Sequence, residues 1–198
     1  MLAAIPATAL AQAYGIRLVR ADMWAPHLTA AAQKFDLLQD RRQLTFWLAQ
    51  IGHESSRLVY TREVWGPTDA QKRYEGRVDL GNTQPGDGFR FRGRGLIQIT
   101  GRFNTAACGL ALNLPLLTTP ELLEAPAHAA MSAGWYWHHF KIAPLAAKGH
   151  FSAVTKAING GYNGLRDREA LRASCEKFFP ESLWAPPSVQ PTSTGKKR

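Results

Sequence analysis

The stretch WLAQIGHESSRL, from Trp47 to Leu58, sets His53 and Glu54 side by side at the end of an apolar helical pattern. A His-Glu pair opens the zinc motif His-Glu-x-x-His, but the fifth position here is Arg57, so that chemistry is excluded. Glu54 follows Trp47 by seven residues, two helical turns, and its carboxyl therefore projects from the apolar side near the helix C-terminus. Desolvation penalises a charge there, and the negative end of the helix dipole repels it. A carboxylic acid kept protonated near neutral pH is what a general acid requires. The plain alternative, a hydrated glutamate at a frayed helix end, has equal claim on this pattern alone.

Glu63 offers a second carboxylate nine residues on. On one unbroken helix nine residues turn through about 900°, so the two side chains would face opposite ways. They can cooperate only if the helix ends after Glu54 and the chain folds back, which Ser55 and Ser56 permit as middling helix formers. Carboxyls about 6.5–9.5 Å apart would suit an inverting glycosidase, with room for a water between base and sugar. Glu75, in RYEGRVDLGN, competes for the second role, or else anchors its loop to Arg73 or Arg77.

The segment GRGLIQITGRFN, Gly93 to Asn104, is no dinucleotide fingerprint, because Gln98 stands where a third glycine belongs and no βαβ frame surrounds it. If Leu96–Thr100 is extended, Gln98 and Thr100 share one side, an amide and a hydroxyl suited to holding a sugar or a water. A solvated strand face is the alternative.

The elements that must position these groups read as helices. Helical spacing of small and apolar residues covers 7–14 and 22–36, and residues 41–54 carry Leu44, Trp47, Leu48 and Ile51 at i, i+3, i+4 and i+7. Thr119-Pro120-Glu121 reads as a helix start, and further helices are expected over 127–140, 150–158 and 166–178. Between 64 and 95 the pattern gives way to Gly, Pro, Asn and Asp, and an irregular segment of that length is more often functional than idle. With 198 residues and 45% hydrophobic composition, one domain over 1–185 is expected. The Pro-, Ser- and Lys-rich stretch 186–198 has the composition of a disordered tail.

A net charge of +9 points to an acidic partner without naming it. No helix concentrates the basic residues, which argues against a nucleic-acid binder, and no run of about 18 apolar residues is present to insert in a membrane. Cys108 and Cys175 read as free buried thiols, and no cluster has metal-ligand spacing, so neither metal nor cofactor is expected. The N-terminal apolar stretch lacks a basic n-region and is interrupted by Pro6, which favours a first amphipathic helix over a signal peptide.

Three segments, in order, resemble glycoside hydrolase family 19, the chitinase family, and most of all its phage and bacterial endolysin branch. IGHES resembles the family's His-Glu-[ST] segment, FRGRGLIQITGRFN its Gly-Arg-Gly-x-[IL]-Gln motif, and AINGGYNGLRDR its downstream Asn-Gly-Gly segment. The resemblance covers roughly residues 40–170. It implies a mainly α, two-lobed lysozyme-like and chitinase-like fold with a central cleft and at most a small β element. It also implies an inverting hydrolysis with Glu54 as general acid, Glu63 as general base and Thr100 helping to hold the water, Glu75 remaining the alternative base. Gln98, Asn104 and Asn159 match substrate-binding positions, and His53 and Arg94 join them as candidates. Ser56-Arg57 stand where the family often has Gly-Gly, so a different local turn is expected.

The catalytic residues do not separate chitin from peptidoglycan, which share β-1,4 links between N-acetylated sugars. The basic charge favours peptidoglycan, and with it a muramidase held as a monomer in the host cytoplasm until its release to the periplasm and cell wall. Chitinase is the second expectation. A lytic transglycosylase and a non-catalytic wall-binding protein are the rivals.

Overall fold

The computed structural model describes residues 1–184; the expected disordered tail, 186–198, lies outside the described residues. Helix α1 (Ala7–Tyr14) buries Ala9, Leu10, Ala13 and Tyr14, and α2 (Leu18–Lys34) starts one turn earlier than its apolar spacing predicts. Helix α3 (Arg41–Glu54) has the expected bounds and is capped by Asp40, whose side chain accepts from the Gln43 amide at 2.8 Å. Its burial exceeds a stripe, since every residue from Leu44 to Gly52 is buried. A helix covered on all sides is a core helix. In such a setting Leu48→Ala costs about 2–5 kcal/mol.

The chain then makes only short helical turns, α4 (Asp69–Lys72) and α5 (Asp87–Arg90), through the irregular segment. Five longer pieces follow: α6 (Arg102–Leu112), α7 (Pro126–His139), α8 (Ala143–Ala147), α9 (Phe151–Asn159) and α10 (Leu165–Phe178). The expected helix start at Thr119 is a 3₁₀ segment, Pro120–Glu124, and Thr119 makes no side-chain cap. Helix α10 packs antiparallel on α3. Arg41, at the start of α3, donates to the carbonyls of Glu176 and Phe179 at the end of α10, whereas Glu54, at the end of α3, meets Arg168 in the first turns of α10. Cys108 and Cys175 are free and buried, as expected.

The extended reading of Leu96–Thr100 is corrected. The only pairings among the described residues are isolated antiparallel bridges, Arg62 with Arg94 and Arg94 with Ile99. Between them the chain turns sharply, with Gly95 at φ 77° and Gln98 at φ 57°. A left-handed residue cannot continue a strand, so the alternation that would place Gln98 and Thr100 together does not apply.

Candidate active site

Glu54 lies at the sheltered end of the α3 stripe, with its side chain 17% exposed. The sequence predicts that its carboxyl projects from the apolar side of α3, without naming a partner. The structure places against it the fully buried Arg168, whose Nη2 donates to Glu54 Oε1 at 2.5 Å. The same guanidinium donates to Gln50 Oε1 (2.6 Å) and to the Asn163 carbonyl (3.2 Å), and Gln50 Nε2 donates to Thr155 Oγ1 (2.9 Å). Three elements, α3, α9 and α10, thus fix one carboxylate oxygen. Oε2 of Glu54 has no hydrogen-bond partner among the described residues.

His53, on the adjoining face, has its Nδ1 2.7 Å from Asp167 Oδ2, and Arg57 Nη2 donates to Asp167 Oδ1 at 2.6 Å. Burial would raise the Asp167 carboxyl, but the hydrogen bonds from His53 and Arg57 outweigh it and hold the carboxyl below its ordinary value. The close approach explains Gly164, where a Cβ would fall 2.2 Å from the His53 ring. His53 is thus tied to α10 by one ring nitrogen while its side chain stays 27% exposed.

The helix ends where the sequence requires it to. Ser56, Arg57 and Leu58 take φ of 49°, 59° and 65°, three consecutive left-handed residues, none of them glycine. Each costs about 1–2 kcal/mol. Buried Ser55 holds the turn. Its hydroxyl donates to the Ile51 carbonyl (2.6 Å) and accepts from the Leu58 amide (2.9 Å), and its carbonyl accepts from the amides of Val59 and Tyr60. The Arg57–Asp167 pair adds a tether from α10.

Past this turn the chain brings Glu63 onto the 93–104 segment. Gly93 N donates to Glu63 Oε2 (3.1 Å), and Glu63 N donates to the Gly93 carbonyl (2.9 Å). Oε1 accepts from Gln71 Nε2 (3.0 Å) and Tyr74 Oη (3.4 Å). Burial, then the Glu63 charge and hydrogen bond, push the Tyr74 phenol above its ordinary value. Gly93 also lies against Gln98, whose Oε1 would be 2.6 Å from a Cβ there. Thr100 Oγ1 donates to the Gln98 carbonyl (2.9 Å), and Asn104 Nδ2 donates to the Thr100 carbonyl (3.0 Å). Four of the expected residues, Glu63, Gln98, Thr100 and Asn104, therefore form one connected patch.

Helix α7 joins this patch to Glu54. Ser132 abuts Gly95, Leu96 N donates to the Ala129 carbonyl (3.4 Å), and one turn beyond Ser132 stands Tyr136. Burial and then the charge of Glu54 push the Tyr136 phenol up to about 12. Ala129, Ser132 and Tyr136 fall at i, i+3 and i+7, one helix face, which spans about 10 Å along the axis.

Three expected site residues do not join this arrangement. Glu75 anchors its loop, accepting from the amides of Gly86 (2.7 Å) and Gly88 (2.8 Å), not from Arg73 or Arg77, so both oxygens are engaged by backbone. Arg94 is placed as a buried clasp between segments. Its side chain is 2% exposed, and it donates to Glu124, Glu121 and the Arg90 carbonyl. Asn159 is exposed at the end of α9, with no side-chain bond among the described residues to hold it to the site. Sequence reasoning missed Arg168, Asp167, Gln50, Gln71 and Tyr136. Only Arg168 left a signal, since it continues the Leu171–Cys175–Phe178 stripe by one turn.

No family model matches the chain. It is 37% identical over 142 residues to an endochitinase of Arabidopsis thaliana, a match covering 69% of this chain and 47% of the relative. It is 32% identical over 157 residues to a glycosyl hydrolase family 19 domain-containing protein of Haemophilus influenzae, covering 65% of this chain and 76% of that one. The chain spans about half the length of the plant endochitinases it matches. Two solved structures share the fold. Chitinase C of Streptomyces griseus superposes with a TM-score of 0.70 at 21% identity, over 88% of this chain and 76% of that one. A bacterial family 19 chitinase superposes with a TM-score of 0.69 at 22% identity, over 94% and 98%. With a relative above 30% identity matched over three quarters of its length and the same mainly helical fold, the chain belongs to glycoside hydrolase family 19.

Proposed function

We propose that the protein is an inverting glycosidase that cleaves β-1,4 bonds between N-acetylated sugars, with bacterial peptidoglycan as its substrate. Glu54 acts as general acid. Arg168 occupies Oε1, which leaves Oε2 as the oxygen that carries the proton to the glycosidic oxygen. Glu63 acts as general base. Its acceptor bonds come from a backbone amide, an amide side chain and a phenol, all neutral donors, so no cation competes for the charge that draws a proton from water. Thr100, one hydrogen bond from Gln98 in the same patch, helps to orient that water, and Gln98 and Asn104 line the sugar path.

The single observation that carries this reading is the contiguity of Glu63, Gly93, Gln98, Thr100 and Asn104 in one patch, anchored through Gly95 and Leu96 to Ser132 and Ala129 of α7, the helix whose Tyr136 feels the charge of Glu54. Peptidoglycan is favoured over chitin by the +9 charge, because its lactyl and peptide carboxylates make it a polyanion. Chitin is the second reading, favoured by the relatives named endochitinases. Digestion of purified peptidoglycan and of chitin oligomers, with the new ends identified by mass spectrometry, tests both. Reducing N-acetylmuramic acid ends are expected; anhydro ends would replace hydrolysis by a transglycosylase, and no release from either polymer would make the protein a binder.

A further inference from the structure

Beside Glu63 lies a cleft of about 630 Å³ lined by Tyr60, Arg62, Glu63, Trp65, Phe89 and Arg92. Tyr60 and Phe89 are about half exposed there (49% and 51%), offering flat apolar faces to a sugar. Arg92 is different in kind. It is 8% exposed, its guanidinium stacks 4.0 Å from the Phe89 ring centroid, and its Nη1 donates to the Phe89 carbonyl (2.9 Å). Its Nε is buried without a hydrogen-bond partner, and Nη2 donates to no protein acceptor among the described residues.

Nε and Nη2 together form the side edge of the guanidinium fork, the edge that matches a carboxylate with two parallel bonds; in Arg92 Nε is shielded by the protein and Nη2 is the nitrogen left to an incoming acceptor. The same edge of Arg102 is filled in that way, Nε donating to Asp87 Oδ2 (2.9 Å) and Nη2 to Asp87 Oδ1 (2.6 Å). The carboxylates nearest in the fold are already committed. Glu124 accepts from Arg94 and Arg62, and Glu121 accepts from Arg94. Burial first, then the like charges of Arg94 and Arg62, hold the Arg92 guanidinium below its ordinary value, an effect that an incoming anion opposes.

We propose that Arg92 is a specificity-determining residue that takes a substrate carboxylate on Nη2 beside Glu63, so that the cleft prefers an acidic glycan to a neutral one. This rests on the glycosidase reading of the same cleft. The carboxylate belongs either to a lactyl ether on the sugar or to the peptide attached there, and both present the same two oxygens.

The test compares kcat/KM on chitohexaose, on peptidoglycan strands stripped of peptide by an amidase, and on intact peptidoglycan strands, for wild type, Arg92→Met and Arg92→Lys. The ratio of acidic to neutral substrate is expected to fall about tenfold in Arg92→Met, through KM, because a paired charge is lost. Arg92→Lys, which keeps the charge and loses the fork, falls part of the way. A fall on stripped strands identifies the lactyl carboxylate, and a fall on intact strands alone identifies the peptide. An unchanged ratio, with both classes declining together, overturns the proposal and makes Arg92 a packing partner of Phe89. If Arg92→Met does not fold, Arg92→Lys decides on the same ratio. Binding of the three glycans by calorimetry is read alongside: wild-type protein that hydrolyses none of them overturns the glycosidase reading, and the binding ratio still decides Arg92.

Discussion

The Glu54 wall is made of long helices and the Glu63 wall of turns, and the two hold their carboxylates by opposite means. Glu54 meets a buried cation, itself braced by Gln50 and the Asn163 carbonyl, inside the antiparallel α3–α10 core. Glu63 meets neutral donors only, two of them side chains from the irregular segment. One wall fixes an oxygen by charge and burial; the other cradles a charge with dipoles. The contrast leaves each carboxylate a different free resource: Glu54 keeps Oε2 without a partner, and Glu63 keeps its charge uncompensated by any cation. The left-handed turn at Ser56–Leu58 is what lets Glu54 and Glu63, nine residues apart in the chain, stand on different walls.

The contrast can be broken at several points. The largest effect is expected from Glu63→Ala set against Glu75→Ala. Loss of a general base lowers kcat by about 10²–10⁴-fold. Glu75→Ala removes a loop anchor and lowers stability by about 1–3 kcal/mol, read by denaturant unfolding, with kcat falling far less than in Glu63→Ala. Equal kcat losses in the two variants would erase the distinction between base and anchor. Next comes Arg168→Met, which strands a mostly buried carboxylate and is expected to cost about 3–5 kcal/mol in the same unfolding assay. The double variant Arg168→Met with Glu54→Gln should recover part of that loss, since no charge is then left unpaired.

Asp167 gives a smaller, pH-dependent effect. Its folded carboxyl lies below its ordinary value, so its contribution to stability is present above the unfolded pKa, about 3.9, and is lost as the pH falls through the lower folded value. In a thermal-melt series from neutral pH into the acid range, Asp167→Asn should flatten the acid-side decline. A profile that stays as steep as wild type would mean that His53 and Arg57 do not hold this carboxylate. The smallest effect is a gain. Ser56→Gly relieves a left-handed φ and should raise stability by about 0.5–1 kcal/mol, seen as a higher melting temperature. A loss would show that Ser56 makes a contact worth more than its strain.

The helical wall was largely legible in the sequence. Periods of 3.6 residues give α1, α3, α7, α9 and α10 to within a residue or two, and the stripe that ends on Glu54 puts that residue on the buried side. What the stripe could not tell was its counterpart. Arg168 stands on the same face as Leu171, Cys175 and Phe178, as Glu54 stands with Trp47 and Ile51, and each apolar stripe carries one charge at the end where the helices meet. One of two arginines in a charged helical first turn, Arg168 reads as solvated until its partner is known. The turn-built wall was much less legible, because its contacts run through backbone amides and positive φ, which leave no period. Gln98 and Thr100 do belong to one patch, but through a carbonyl at a left-handed turn and not through strand alternation. Arg94, a candidate substrate contact in the sequence, is buried against Glu121 and Glu124, carboxylates that no sequence spacing links to it.

The central claim is that Glu54 delivers the proton that breaks the glycosidic bond. Its most direct test is the rate of new reducing ends released from purified peptidoglycan strands by Glu54→Gln and by wild type, with circular dichroism showing both folded. A fall of about 10²–10⁴-fold in kcat is predicted, with strand binding retained. Release by Glu54→Gln at the wild-type rate would contradict the account.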